Sequence, residues 1–309
     1  MKIHPGFVGI DISKHHLDVF DSTRATACRI ANQPAAIAAL LDSLEGRPAL
    51  VLFEATGSYD RALRHALGAA DMPFARVNPA RARDFARAAG YLAKTDTIDA
   101  RMLAAMAQAL SLEADARADP LREQLARLHQ RRDQLVACRK QERMRQKEES
   151  DDPLRSLETH LAFLDEAIAA FDDAIAALIK AHDELRDSCS LMLSAPGIGK
   201  VHAATLLALM PELGARSSKT VAALAGLAPF NADSGLARGK RQIRGGRRRV
   251  REALYMAAVA ATRTKSRFAE QYRALRQAGK APKLALIAVA RKILVTLNAI
   301  LRDRKPFYP

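Results

Sequence analysis

In the stretch "LAKTDTIDARML", residues 92–103, Asp96 and Asp99 stand three positions apart in a segment whose apolar residues carry a helical period. Side chains three apart share a helix face, so the two carboxylates repel each other unless something positive intervenes. Lys94 and Arg101 offer an ordinary answer, a solvated helix start capped by Thr95 or Asp96. The other answer is a divalent cation, because hard ions such as Mg²⁺ prefer carboxylate oxygens and cancel the repulsion. That reading requires more acids. Asp11 closes the apolar run "FVGID", and Glu54 stands at the end of "ALVLFEA". An acid ending a core strand either emerges into water or holds a cation, since an isolated buried charge is costly.

A second kind of chemistry is possible in "GLAPFNADSGLARGKRQIRGGRRRVREALY". Ser234 precedes a glycine among loop formers, and the next 17 residues carry Arg238, Lys240, Arg241, Arg244, Arg247, Arg248, Arg249 and Arg251. A serine in such surroundings could attack a DNA phosphate, with the planar guanidinium donors spreading the charge of the pentacoordinate transition state. Most Ser-Gly pairs are merely turns, and no paired histidine is visible. The arginine run as a phosphate-binding surface rests on firmer ground. Upstream, "SAPGIGKVHAATLLA" places Gly197 and Gly199 between apolar helical runs. Such a hairpin either turns backbone N–H groups toward a phosphate, with Lys200 adding charge, or is a plain interhelical turn.

Elements must position these residues. The chain has 309 residues, 49% of them hydrophobic, enough for two or three domains with real cores. Up to about residue 110 short β-rich runs alternate with helical ones: three strands first, then helices and strands in turn, which predicts a mixed sheet covered on both faces. In the middle, Leu154, Leu157, Leu161, Leu164, Ile168, Phe171, Ile175, Leu178, His182 and Leu185 follow steps of three and four, the spacing of a coiled-coil seam. Leu121, Leu125, Leu128 and Leu135 begin an earlier helix, and "SDDP" separates the two with an acidic cap and a proline at the first helical position. An antiparallel helical hairpin follows, packed within one chain or used for self-association.

Charge is distributed unevenly. From Ser190 onward 23 Lys and Arg face 5 Asp and Glu, a net of +18, whereas the preceding 189 residues sum to −3 and the whole chain to +15. That asymmetry points to a polyanion, most plausibly nucleic acid, engaged by the C-terminal third. Cys28, Cys138 and Cys189 are odd in number and widely spaced, which argues against a disulfide framework or a zinc site and suits a reducing cytoplasm. The sequence enters "FVGIDIS" without a leader pattern and no apolar run approaches eighteen residues, so neither export nor a membrane span is expected.

An acid on the first strand, one on a central strand and a pair on a helix follow the order of ribonuclease-H-like nucleases, where four carboxylates hold two Mg²⁺ ions. More specifically, "GIDISKHHLDVF", "FEATGSYD" and "KTDTIDARML", then the coiled coil, "SAPGIGKVHAATLLA" and "GLAPFNADSG", resemble the DEDD transposases of bacterial insertion sequences over essentially the full length. The resemblance implies an α/β RuvC-like catalytic domain over residues 1–118, a coiled-coil hairpin over 119–188 and a mainly α transposase domain with a helix-hairpin-helix over 189–309. It maps the metal ligands to Asp11, Glu54, Asp96 and Asp99, with Mg²⁺ or Mn²⁺, and the nucleophile to Ser234. It also implies cutting and rejoining of donor and target DNA through a phosphoserine intermediate in the bacterial cytoplasm at the nucleoid. A structured bridge RNA would guide a dimer to tetramer whose composite sites join one chain's acids to another's serine. Two other classes use subsets of these features: a hydrolytic RuvC-like nuclease would need the acids and water, and a non-catalytic nucleic-acid scaffold only the basic third and the helices. A sugar-kinase or actin-like ATPase, prompted by "GIDIS", would need paired glycine-rich phosphate loops that the sequence lacks.

Overall fold

Alternating apolar residues in the first thirty positions build a meander. In a computed structural model, which describes residues 6–47, 49–55, 57, 59–91, 96–115, 119–230 and 242–308, strands β1 (Phe7–Ile12), β2 (His16–Asp21) and β3 (Thr26–Ala31) pair antiparallel in succession. Helix α1 (Pro34–Leu44) then buries Ile37, Leu41 and Leu44, an i, i+4, i+7 stripe. It returns the chain to β4 (Leu50–Glu54), which lies parallel to β1. Helix α2 (Arg61–Ala69) leads to β5 (Phe74–Val77), parallel to β4, and the sheet order is β3-β2-β1-β4-β5. Helices α3 (Pro79–Ala88) and α4 (Asp96–Ala109) follow, α3 starting at Pro79 with the Asn78 side chain accepting from the Ala80 N–H at 2.8 Å.

The pleat sorts the strand residues between two cores. Val8, Ile10, Ile12, Val51 and Phe53 pack with Ile37, Leu41, Leu63 and Leu67 from α1 and α2. Leu52, Ala75 and Val77 pack on the opposite face with Met102, Leu103 and Met106 of α4, joined by Phe7 and Leu50. Gly9 sets how close α4 comes: a Cβ there would lie 1.9 Å from the Ala100 carbonyl oxygen and 2.6 Å from the Ala104 nitrogen. Only a residue without a side chain admits that approach, and the alanines opposite it are fully buried. Met1–Ala118 form one unit and Asp119–Pro309 a second.

Among its described residues the C-terminal unit is helical apart from one short ribbon. Helix α5 (Pro120–Arg145) starts at Pro120 with the Asp119 carboxylate accepting from the Leu121 N–H at 2.9 Å. Helix α6 (Asp151–Ala181) packs along it and buries Leu161, Leu164, Ile168 and Ile175, residues of the heptad seam. Pro153 is the third helical residue, not the first, still within the turn whose N–H groups need no partner. The seam does not run on as one helix: His182, exposed at φ −121°, ends α6 and starts α7 (Asp183–Leu193), so Leu185 is buried from a separate helix. Next come α8 (Lys200–Leu209), α9 (Ser218–Leu224), the ribbon β6 (Pro229–Phe230) with β7 (Gln242–Ile243), α10 (Arg248–Ala261), α11 (Arg267–Gln277) and α12 (Pro282–Asp303). By length and composition α12 alone among the described helices could cross a membrane. It is instead central to this unit's core, burying Val289, Ile293, Leu294 and Leu297, while its Asn298 accepts from the Gly214 N–H and donates to the Arg216 carbonyl. Leu125, Ile175 and Ile179 share that core, so hairpin and C-terminal helices form one unit.

Candidate functional site

Sheet register brings the two strand acids together. The last paired residues of β1 and β4 are Ile10 and Phe53, and Asp11 and Glu54 are the next on each strand. On adjacent parallel strands such partners project to the same face, here the one that carries Gly9 and Leu52 and receives α4. Both acids are half-buried. Asp99 lies in the first turn of α4, one residue before the Ala100 that presses on Gly9, and is half-buried too. Asp96 is the first residue of α4, and its side chain lies outside the described residues. Among the described residues no group of three or more His, Cys, Asp and Glu is arranged to hold a metal ion. The donor set nonetheless fits a hard cation in kind, being all carboxylate oxygen, and the Gly9 approach brings the start of α4 onto the strand face that bears Asp11.

A further acid in this row escaped the sequence reading. Asp18 on β2 is paired directly with Asp11 and, on its other side, with Arg29 of β3. Its carboxylate, 6% exposed, receives Arg29 Nε at 3.0 and 3.2 Å and Nη2 at 3.0 Å. The signal was the alternation in "HHLDVF", which places Asp18 and Phe20 on one face, but the pairing to Asp11 depends on the hairpin register.

The cationic run is less uniform than its composition. Arg247 meets Glu212 through two hydrogen bonds of 2.6 Å and also donates to the Leu209 carbonyl at 3.1 Å. Burial pushes the Glu212 carboxyl up, but the hydrogen bonds and charge of Arg247 outweigh it and hold the group below its ordinary range. Arg249 grips Asp133 of α5 with Nε and, at 2.8 Å, with Nη2. Arg251 donates to the Gly245 carbonyl at 2.6 Å. Arg248 is exposed, paired with Glu252 one turn on, and Arg244 lies over the Phe230 ring, 5.5 Å from its centroid. Ser234, Arg238, Lys240 and Arg241 lie outside the described residues.

The two hairpin glycines have separate jobs. Gly197, at φ +88°, faces α10, where a Cβ would lie 2.3 Å from the Ala257 carbonyl oxygen. Gly199 precedes α8, and its N–H donates to Nδ1 of His202 at 3.3 Å. Lys200, the first helical residue, is exposed. Behind this turn, His129 of α5, 1% exposed, bonds through Nε2 to the Thr205 hydroxyl at 2.9 Å. That hydroxyl donates to the Val201 carbonyl at 2.7 Å, so it accepts from His129, and the proton of the neutral ring is on Nε2. Nδ1 then finds no partner among the described residues. Burial, opposed by Asp133 and reinforced by Arg249, lowers the His129 pKa.

Comparison with known proteins bears on both units. A model of DEDD transposases of IS110 elements, described as "Transposase", matches residues 8–148, and one described as "Transposase IS116/IS110/IS902 family" matches residues 189–273. The chain is 29% identical to the pilin gene-inverting protein of Moraxella lacunata over 323 aligned residues, covering 97% of both chains. The corresponding Moraxella bovis protein is likewise 29% identical over 331 residues, with 97% of each covered. An uncharacterized 42 kDa protein of insertion element IS900 from Mycobacterium paratuberculosis is 35% identical over 137 residues, 43% of this chain and 34% of that protein.

Proposed function

The chain belongs to the IS110/IS116/IS902 family of transposases and is a DNA transposase or recombinase, and from that premise we propose how its residues divide the work. The N-terminal unit is read as a RuvC-like domain in which Asp11, Glu54, Asp96 and Asp99 hold Mg²⁺ or Mn²⁺. The observation that carries this is the adjacency of Asp11 and Glu54 at the ends of two paired parallel strands, on the face where α4 delivers its first turn. When bound, the metal would neutralise charge on the scissile phosphate. The carboxylates would fix its position beside the DNA strand.

Ser234 is assigned as the nucleophile. Its oxygen forms a bond to phosphorus as the bond to the departing sugar oxygen breaks, and the released hydroxyl takes up a proton. Reversal with a different sugar hydroxyl rejoins DNA, so the phosphodiester energy is retained without ATP. In the cationic run, Arg238, Lys240, Arg241, Arg244 and Arg248 are assigned to nucleic-acid phosphates, with Lys200 from the helix-hairpin-helix turn. Arg247, Arg249 and Arg251 belong to the same surface, with part of each guanidinium engaged by Glu212, Asp133 or the Gly245 carbonyl. Gly197 and Gly199 shape the turn that presents Lys200. The α5–α6 hairpin is read as a coiled-coil element of self-association, and a structured guide RNA as a further partner.

The deciding experiment is adduct trapping. Purified protein incubated with element-end DNA and Mg²⁺ should form a denaturant-stable protein–DNA adduct that Ser234→Ala lacks. Cleavage that persists in Ser234→Ala without an adduct would favour the hydrolytic reading, in which the four acids activate water.

A further inference from the structure

The ends of β1, β3 and β4 lie along one edge of the N-terminal sheet, because β1 and β4 run parallel and β3 is antiparallel to β2. Three loops therefore leave that edge: the β1–β2 turn after Asp11, the segment after Glu54, and the segment after Ala31. Asn32, half-buried, fastens all three. Its backbone N–H donates to the His15 carbonyl at 2.8 Å. Its side-chain Nδ2 donates to the Ser13 carbonyl at 3.0 Å and to the Tyr59 carbonyl at 3.1 Å. Both acceptors are carbonyl oxygens with nothing to donate, so the amide must present nitrogen to them. Its Oδ1 is buried and finds no partner among the described residues. A buried acceptor without a donor is costly, so the two loop bonds are kept against a local penalty.

We propose that Asn32 is the positioning residue of the acidic site: by tying the loop two residues past Asp11 to the loop five residues past Glu54, it fixes the spacing of those two carboxylates. The inference rests on the reading of the acids as metal ligands. Carboxylates on adjacent strands are aligned by the ladder only up to Ile10 and Phe53. Beyond that pair Asp11 is laddered to Asp18 of β2 and Glu54 to Val77 of β5 but not strand to strand, and Asn32 joins the two ends across that gap. Alanine at this position loses both amide donors, while aspartate also sets a charged oxygen against two carbonyls.

The test is Mn²⁺ binding to the full-length protein without DNA, followed by electron paramagnetic resonance of the free ion, for wild type, Asn32→Ala, Asn32→Asp and Asp11→Asn. Asn32→Ala should weaken Mn²⁺ binding at least tenfold with circular dichroism unchanged, and Asn32→Asp should weaken it further. If Asn32→Asp fails to fold, Asn32→Ala alone carries the test. Wild-type Mn²⁺ affinity in Asn32→Ala, together with loss of binding in Asp11→Asn, overturns the role of Asn32 and leaves the site intact. Undiminished binding in Asp11→Asn overturns the metal reading itself, and the role of Asn32 with it.

Discussion

The acidic edge of the N-terminal unit and the basic run of the C-terminal unit are both clusters of like charge, yet the fold treats them differently. At the acidic edge, strand register and one close helix approach gather Asp11, Glu54 and the start of α4 beside Asp18, which Arg29 grips. In the basic run, Arg247, Arg249 and Arg251 are engaged by Glu212, Asp133 and a backbone carbonyl. Like charges are thus gathered from distant segments onto one sheet face in one place and are in good part engaged in ion pairs in the other. Backbone geometry separates the two cases: a strand fixes where consecutive residues point, whereas a helix start sends neighbouring arginines around a full circle.

The largest effect expected from this contrast is at Asp11. Asp11→Asn should lower strand transfer at least about a thousandfold, the scale of losing a group that acts only in the transition state, with urea stability unchanged. Activity within tenfold of wild type would make the acidic edge scaffolding. Next comes Gly9→Ala. Its methyl would meet backbone atoms of α4 at 1.9 and 2.6 Å, so the helix must move, at a cost of about 3 kcal/mol in urea unfolding. A loss under about 1 kcal/mol would mean that α4 is not held where the acids need it.

Much of this was legible beforehand, and unevenly. The order of strands and helices, and the placing of Asp11 and Glu54 toward the ends of neighbouring strands, followed from apolar period, because burial is a local demand that sequence displays directly. The buried half of the heptad seam was legible for the same reason, though its break at His182 was not, since a polar residue is tolerated at a seam position until packing excludes it. Asp18 and Asn32 escaped because their roles depend on which strand lies beside which. The arginine partners escaped too: Asp133 is 116 positions from Arg249 in the chain, a pairing that no local pattern encodes.

Inside the basic run the comparison can be sharpened residue by residue. Arg249→Ala strips a partly buried Asp133 of its partner and should destabilise the C-terminal unit by about 2 kcal/mol in urea. Arg248→Ala, which removes an exposed pair, should change stability by less than about 0.5 kcal/mol. For DNA binding the order should reverse, Arg248→Ala reducing the salt slope by about one counterion while Arg249→Ala leaves the slope alone. Equal slopes for the two variants would remove the distinction between the arginine that grips Asp133 and the more exposed one.

A further effect is a pH dependence near neutrality that the C-terminal unit should show through His129 and His202. His129 is buried neutral, held below its ordinary pKa first by desolvation and further by Arg249 and Arg132, with Asp133 pulling the other way. His202, also lowered by burial and by Arg249, titrates in the same sense. Because the unfolded chain binds protons that the fold refuses, stability contributed by these groups is present above the ordinary histidine pKa and is lost as pH falls toward the folded-state value. Between pH 7.5 and 5.5 urea unfolding of the wild type should therefore lose about 1 kcal/mol, since one group can contribute no more than about 1.4 kcal/mol per pH unit. His129→Phe, less stable throughout because Thr205 loses its donor, should show a shallower slope, with the remainder assigned by adding His202→Gln. A slope unchanged in the double variant would place the acid sensitivity elsewhere. Glu212 is not a candidate for that slope, because its lowered pKa stabilises the fold above the ordinary carboxylate range and ceases to do so only in stronger acid.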